Sequence, residues 1–143
     1  MKLLHNLTWL LAAGFLASNI AVAGKEKTPE FIEGTTRVSA EEVIELVEEL
    51  PDLVILDARK ASDYKKGYIE GAVSLPNTDT NRGTLKTHVK SKRTPIMFYC
   101  NGERCGRSVK AAKIALAAGY KRVYWFRGGM EEWEAKGLPL VHP

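Results

Sequence analysis

Only two of the 143 residues are cysteine. No disulfide framework can therefore staple this chain, and at this length none is needed, because a domain of this size buries a core of its own. Histidine is almost as scarce, with three residues, and His88 has no second histidine or carboxylate at metal-ligand spacing around it; the sequence carries no metal motif. Long runs of one charge are missing too. The net charge is +4, but lysine and arginine are largely interleaved with glutamate, which describes a mixed solvated surface and not a nucleic-acid stripe or a membrane-binding face. There is no low-complexity tract and no internal repeat, which excludes fibrous and solenoid architectures. The length favours a single domain.

The N-terminus reads differently from the rest. "MKLLHNLTWLLAAGFLASNIAVAG" has Lys2 as a short positive start, an apolar centre from Leu7 to Ala17, and Ala21 and Ala23 in an Ala-x-Ala pattern before Gly24. That is the pattern of a secretory signal peptide over residues 1–23. An uncleaved anchor is the alternative, but the apolar stretch is shorter than the ~20 residues of a membrane span, and Ser18 and Asn19 interrupt it. The expected mature chain starts at Gly24, with a polar lead-in over residues 24–34 and the folded domain over 35–143. It is expected to be exported, periplasmic or secreted, without stable membrane association once processed.

Along the mature chain, apolar runs alternate with helical patterns. "VSAEEVIELVEEL" begins with Ser39 three residues before Glu42, a capping box, and continues with Val43, Ile44, Leu46, Val47 and Leu50 at helical spacing. "LVILDA" reads as a strand buried on both faces, "SDYKKG" as a helical turn, and "GAVSL" as a strand stopped by Pro76. Residues 77–95 are polar and basic and read as a loop with one helical turn. "IMFY" is a strand, "RSVKAAKIALAAG" a helix closed by Gly119, "RVYWF" a strand, and "MEEWEAKG" a last helix closed by glycine. This order predicts an α/β domain with a mainly parallel sheet covered on both faces.

Both cysteines fall in one short loop, "YCNGERCGRS", between a strand and a helix. Ligands of such sheets bind at the carboxyl ends of the strands, and Cys100 stands at one. Gly102 and Gly106 suggest unusual dihedrals that would turn loop amides inward. The helix beginning near Arg107 directs its positive end at the loop, and Arg104, Arg107 and Lys110 add cations. Together these features favour a thiolate at Cys100 and an anion beside it. Asn101, Gly102, Glu103, Arg104, Cys105, Gly106 and Arg107 are the candidate binding residues. The alternative is a buried structural cysteine at a strand end. For Cys105, a resolving thiol, a disulfide partner and an inert side chain all remain open.

From about Thr36 to Val141 the sequence resembles the rhodanese family of single-domain sulfurtransferases. "LDARKASDYKKGYIEGAVSLP" is similar to the family's first signature, with Asp57, Arg59, Asp63, Tyr64, Gly67, Ile69, Gly71 and Ala72 in place. "YCNGERCGRS" stands where the family has its active-site loop. "FRGGMEEWEAKGLPL" is similar to the closing signature, with Gly128, Gly129, Trp133, Gly137 and Pro139. Tyr68 and Glu70 depart from the family's usual His and Pro. A common family loop is Cys-x-x-Gly-x-Arg-Ser, whereas here Arg107 follows Cys100 by seven residues, so the loop is two residues longer and leaves the sulfur donor open.

The resemblance implies a rhodanese-like, mainly parallel five-stranded sheet flanked by helices on both faces. It also implies transfer of sulfane sulfur from a small anionic donor such as thiosulfate to cyanide or a thiol, through a persulfide on Cys100 and without a cofactor. Three rivals stand beside it. A phosphatase or arsenate reductase would need Cys-x5-Arg, which is absent here. An exported thiol–disulfide or persulfide-reducing protein would use Cys100 and Cys105 as a pair. A non-catalytic sulfur carrier is the third.

Overall fold

Five strands pair side by side, each parallel to its neighbours, in the computed structural model, which describes residues 24–143. The signal segment expected over residues 1–23 lies outside the described residues. The elements run β1 (Thr35–Arg37), α1 (Ala40–Glu49), β2 (Val54–Asp57), α2 (Ala61–Tyr64), β3 (Val73–Ser74), α3 (Arg82–His88), β4 (Ile96–Tyr99), α4 (Arg107–Ala117), β5 (Val123–Phe126) and α5 (Gly129–Ala135). The sheet order is β1-β5-β4-β2-β3, which puts β4 in the centre. Helices cover both faces, as expected. Alternation along the strands divides the core. Leu56, Phe98 and Trp125 face one cluster with Leu85 of α3 and Ala112 of α4. Ile55, Met97 and Phe126 face another with Val43 of α1 and Trp133 of α5.

Local chemistry explains most boundaries. Ser39 Oγ accepts from the Glu42 amide at 3.3 Å, while the Ser39 amide donates to Glu42 Oε2 at 2.7 Å, so the expected capping box starts α1. The apolar stripe of α1 is only partly buried: Val43 is enclosed, but Ile44 and Val47 are 40% and 48% exposed. Gly119 ends α4 with φ 92°, and Gly137 ends α5 with φ 66°, the left-handed closures that glycine adopts without a Cβ clash.

Two expectations need correction. The polar stretch 77–95 contains a seven-residue helix, α3, and not a single turn. Asn81 caps it by accepting from the Gly83 and Thr84 amides, Thr84 Oγ1 accepts from the Asn81 amide, and Leu85 and Val89 anchor it in the core. The run Thr35–Arg37, which showed no strand pattern, is β1 at the sheet edge beside β5.

The first signature residues form a buried clasp. Arg59 meets Asp57 at 2.7 Å and also donates to the Gly67 carbonyl at 2.7 Å, while Tyr99 OH donates to Asp57 Oδ2 at 2.7 Å. Burial opposes the charge on Arg59, but the hydrogen bond and negative charge of Asp57 raise its pKa on balance. Burial, first of all, raises that of Tyr99, so its hydroxyl stays a donor. Removing one partner of such a pair costs about 3–5 kcal/mol. Among the described residues, no helix is long and apolar enough to cross a membrane.

Candidate active site

Cys100 is the first residue after the central strand, and residues 100–106 connect it to α4. The two thiols left open by the sequence form a disulfide, Cys100–Cys105, with Cα atoms 6.1 Å apart. Both cysteines are buried, but unequally: Cys100 is 1% exposed and Cys105 7%.

The loop is held from behind by α5. The Met130 amide donates to the Cys100 carbonyl at 3.0 Å, and the Glu131 amide to the Asn101 carbonyl at 2.8 Å. In a trans peptide the C=O and the following N–H point in opposite directions. With both carbonyls turned toward α5, the amides of Asn101 and Gly102 are turned away from it. The Cys105 amide closes a turn onto the Gly102 carbonyl at 3.0 Å. Among the described residues, the amides of 101–104 and 106–109 have no acceptor. They stand next to the positive end of α4, where an anion is favoured.

The glycines work differently from the expectation. Gly102 and Gly106 do not have positive φ, and Gly106 sits at −76°. The left-handed glycine of the site is Gly129, with φ 53°, and a Cβ there would overlap the Cys100 carbonyl. Gly102 is small because the Glu131 side chain packs where its Cβ would be.

An open pocket of about 350 Å³ lies against Cys105. Four cations reach it: Lys25, Lys60, Arg104 and Arg107. Two carboxylates do as well, Asp63 and Glu131, and Asn101 completes the wall. Arg107 Nη1 donates to Asn77 Oδ1 at 2.7 Å, which fixes the guanidinium at the rim. Lys110, one helical turn on, is exposed and is not part of the lining. Ser108 is also withdrawn, because its hydroxyl accepts from Trp125 Nε1 at 3.0 Å in the core.

Glu103 faces the other way. It pairs with Lys27 at 2.8 Å and with buried Arg127 at 2.9 Å. The hydrogen bond from Lys27, first of all, lowers its pKa. Residues 25–30, expected only as a polar lead-in, form a strap across the loop. The Thr28 amide and hydroxyl donate to the Glu103 carbonyl at 2.7 and 2.8 Å, Arg104 Nε donates to the Lys25 carbonyl at 3.0 Å, and Arg127 donates to the Thr28 and Pro29 carbonyls.

The loop lies between a strand and a helix, as the sequence led us to expect, while Lys25, Lys60, Asp63, Asn77 and Glu131 were not among the candidate binding residues. Asp63 lies in the first signature, beside Lys60, where its acidic character was read as part of the fold. Asn77 follows the strand-ending Pro76, a position at the carboxyl edge of the sheet that could have marked it. Nothing in the sequence signals the strap, since Thr28 and Glu103 lie 75 residues apart.

A sequence profile for the Rhodanese-like domain matches residues 39–136. A tRNA uridine(34) hydroxylase of Yersinia pestis (strain Pestoides F) is 34% identical over 112 residues, covering 72% of this chain and 30% of that protein. The chain therefore spans less than a third of the length of these curated relatives. Among solved structures, a protein of Bacillus halodurans superposes with a TM-score of 0.67 at 28% identity, covering 76% of this chain and 77% of that one. Thiosulfate sulfurtransferase from Pseudomonas aeruginosa superposes with a TM-score of 0.64 at 28% identity, covering 76% of this chain and 20% of that one.

Proposed function

The chain belongs to the rhodanese-like family, and on that premise we propose that it moves sulfane sulfur through a persulfide on Cys100, with the Cys100–Cys105 disulfide as its oxidised, inactive form. The observation that carries this reading is the setting of Cys100. It ends the central strand at the positive end of α4, in a loop whose amides lack acceptors and beside a pocket richer in cations than in carboxylates.

Each step follows from that setting. In the reduced protein the helix end and nearby cations favour thiolate at Cys100. The thiolate attacks the outer sulfur of an anion of the thiosulfate type. The donor's S–S bond breaks, sulfite leaves with the bonding pair, and Cys100 carries the terminal sulfur as a persulfide anion. Cyanide or a thiolate then takes that sulfur, and the pair of electrons returns to Cys100. Free amides of the loop stabilise the departing anion and the persulfide. The neighbour named thiosulfate sulfurtransferase supports the donor class. The hydroxylase named among the relatives is matched over 30% of its length, and its action on tRNA is not carried over. The reading includes export of the processed chain.

A second reading draws on the disulfide itself. Cys105 thiolate could attack the inner sulfur of the Cys100 persulfide, close the disulfide and release sulfide. The experiment treats reduced protein with thiosulfate and then weighs it. A mass gain of one sulfur that is lost in Cys100→Ser and retained in Cys105→Ser supports transfer. Wild-type turnover in Cys100→Ser sinks it. Sulfide released by wild type and not by Cys105→Ser selects the second reading.

A further inference from the structure

The two sulfurs of the disulfide are not equivalent, and we infer that the cationic pocket admits an anionic thiol that attacks Cys105, so that Cys100 is always the sulfur expelled. This rests on the disulfide being a reversible form of the protein, as proposed above. Among the described residues the pocket wall includes Cys105 and leaves out Cys100, which is 1% exposed at the end of β4. Displacement at a disulfide runs along the S–S axis, with the leaving sulfur opposite the nucleophile. A thiolate coming through the pocket meets Cys105 and not Cys100, and attack at Cys105 makes Cys100 the departing sulfur.

The lining selects the kind of thiol. Lys25, Lys60, Arg104 and Arg107 line the pocket together with Asp63 and Glu131, and Asp63 already has Lys66 at 3.4 Å. The excess of positive charge concentrates anions. The expelled Cys100 thiolate remains in the loop of free amides next to α4, which makes it the better leaving group of the two.

The step is balanced as follows. The incoming thiolate forms a bond to Cys105 Sγ, the Cys105–Cys100 bond breaks, and its electron pair goes to Cys100. A second thiolate then takes the first one off Cys105. The protein gains two electrons, and two thiols become one disulfide. Cys105 is thus the port of reduction and Cys100 the sulfur that is delivered ready for the donor.

The experiment uses the oxidised full chain with excess 2-mercaptoethanesulfonate in the presence of iodoacetamide, quenched with acid. Trypsin cleaves after Arg104 and so separates the cysteines into the peptides 94–104 and 105–107. The expected result is the sulfonate adduct on Cys105 and the alkyl group on Cys100. An adduct on Cys100, an even split, or a protein that stays a dithiol after oxidant overturns the inference. The charge selection is read by opening rates with 2-mercaptoethanesulfonate and cationic cysteamine, each normalised to its rate on free cystine. A preference of about tenfold for the anion is expected, reduced in Lys60→Gln; equal normalised rates overturn it. The persulfide reading is scored separately, by the sulfur gained on Cys100 after thiosulfate. An adduct on Cys105 without that gain removes the persulfide reading and leaves the port in place, and the opposite pair of results does the reverse.

Discussion

Arg127, 3% exposed, meets the Glu103 carboxylate at 2.9 Å and so fastens the turn after β5 to the loop that carries both cysteines. The same guanidinium holds Glu30 at 3.1 Å and two strap carbonyls. One side chain therefore joins three segments that are distant in sequence.

Arg127→Gln should release the strap. Two carbonyls lose their donor, while Glu103 keeps Lys27 and Glu30 keeps Arg37, so the cost is about 1–3 kcal/mol. Amide exchange over residues 25–30 should speed up while α1 and α4 keep their protection. Unchanged exchange in the strap would rule out this role. Acid should have a related effect. The Glu103 pKa is depressed below its ordinary 4.5, so its contribution is fully present above that value and is lost as pH falls through the lower, folded-state pKa.

Gly129→Ala and Gly102→Ala should differ in cost. At Gly129 the backbone is left-handed and the new methyl meets the Cys100 carbonyl, which cannot move without tearing the sheet end. A loss of about 1–3 kcal/mol is expected in urea unfolding. At Gly102 the methyl meets only the end of the Glu131 side chain, which can swing into solvent, and the loss should be well below that. Equal losses would refute the distinction.

Alkaline pH should destabilise the fold through Tyr64. Burial, first of all, beside the stacked Tyr68 ring, pushes the phenol from 10.0 up to about 12, and its hydroxyl donates to the Ala72 carbonyl at 2.8 Å. The folded state holds a proton that the unfolded state gives up, so stability is intact below pH 10 and declines as pH rises from 10 to 12. Tyr64→Phe should flatten that decline in a series of urea titrations.

Arg107→Ala should raise the KM for thiosulfate about tenfold, the effect of losing one well-placed charged hydrogen bond, whereas Lys110→Ala should change it little. Arg107 is fixed at the pocket rim by Asn77, and Lys110 is outside the lining. Equal effects on KM would replace a local contact with a diffuse field.

Elements whose signals are local were legible in the sequence. The Ser39–Glu42 box and the closures at Gly119 and Gly137 act within one turn of chain, and each appears as expected. Thr35–Arg37 is polar and only three residues long, and it is a strand because β5 offers it a partner. In α3 the Asn81 and Thr84 caps were present, but only Leu85 and Val89 mark its buried side within a basic stretch. At the site, the cysteine pair and the helix start could be read from order alone. The carbonyl anchors from α5 and the strap could not, because they join residues brought together only by the folded chain.

The central position of β4 has a mechanical consequence. Hydrogen-bonded neighbours on both sides, β5 and β2, hold the strand that ends in Cys100, and α5 holds the carbonyl of Cys100 itself. Cys105 is framed by the loop instead: its own amide turns onto the Gly102 carbonyl, and the strap and Arg127 grip Glu103 and Arg104 just before it. The disulfide therefore ties a residue framed by the sheet to one framed by the loop and its strap. If the disulfide opens, the adjustment is expected on the loop side, read as faster amide exchange in residues 102–106 of the reduced protein, while Cys100 stays with β4 like the fixed jaw of a vice.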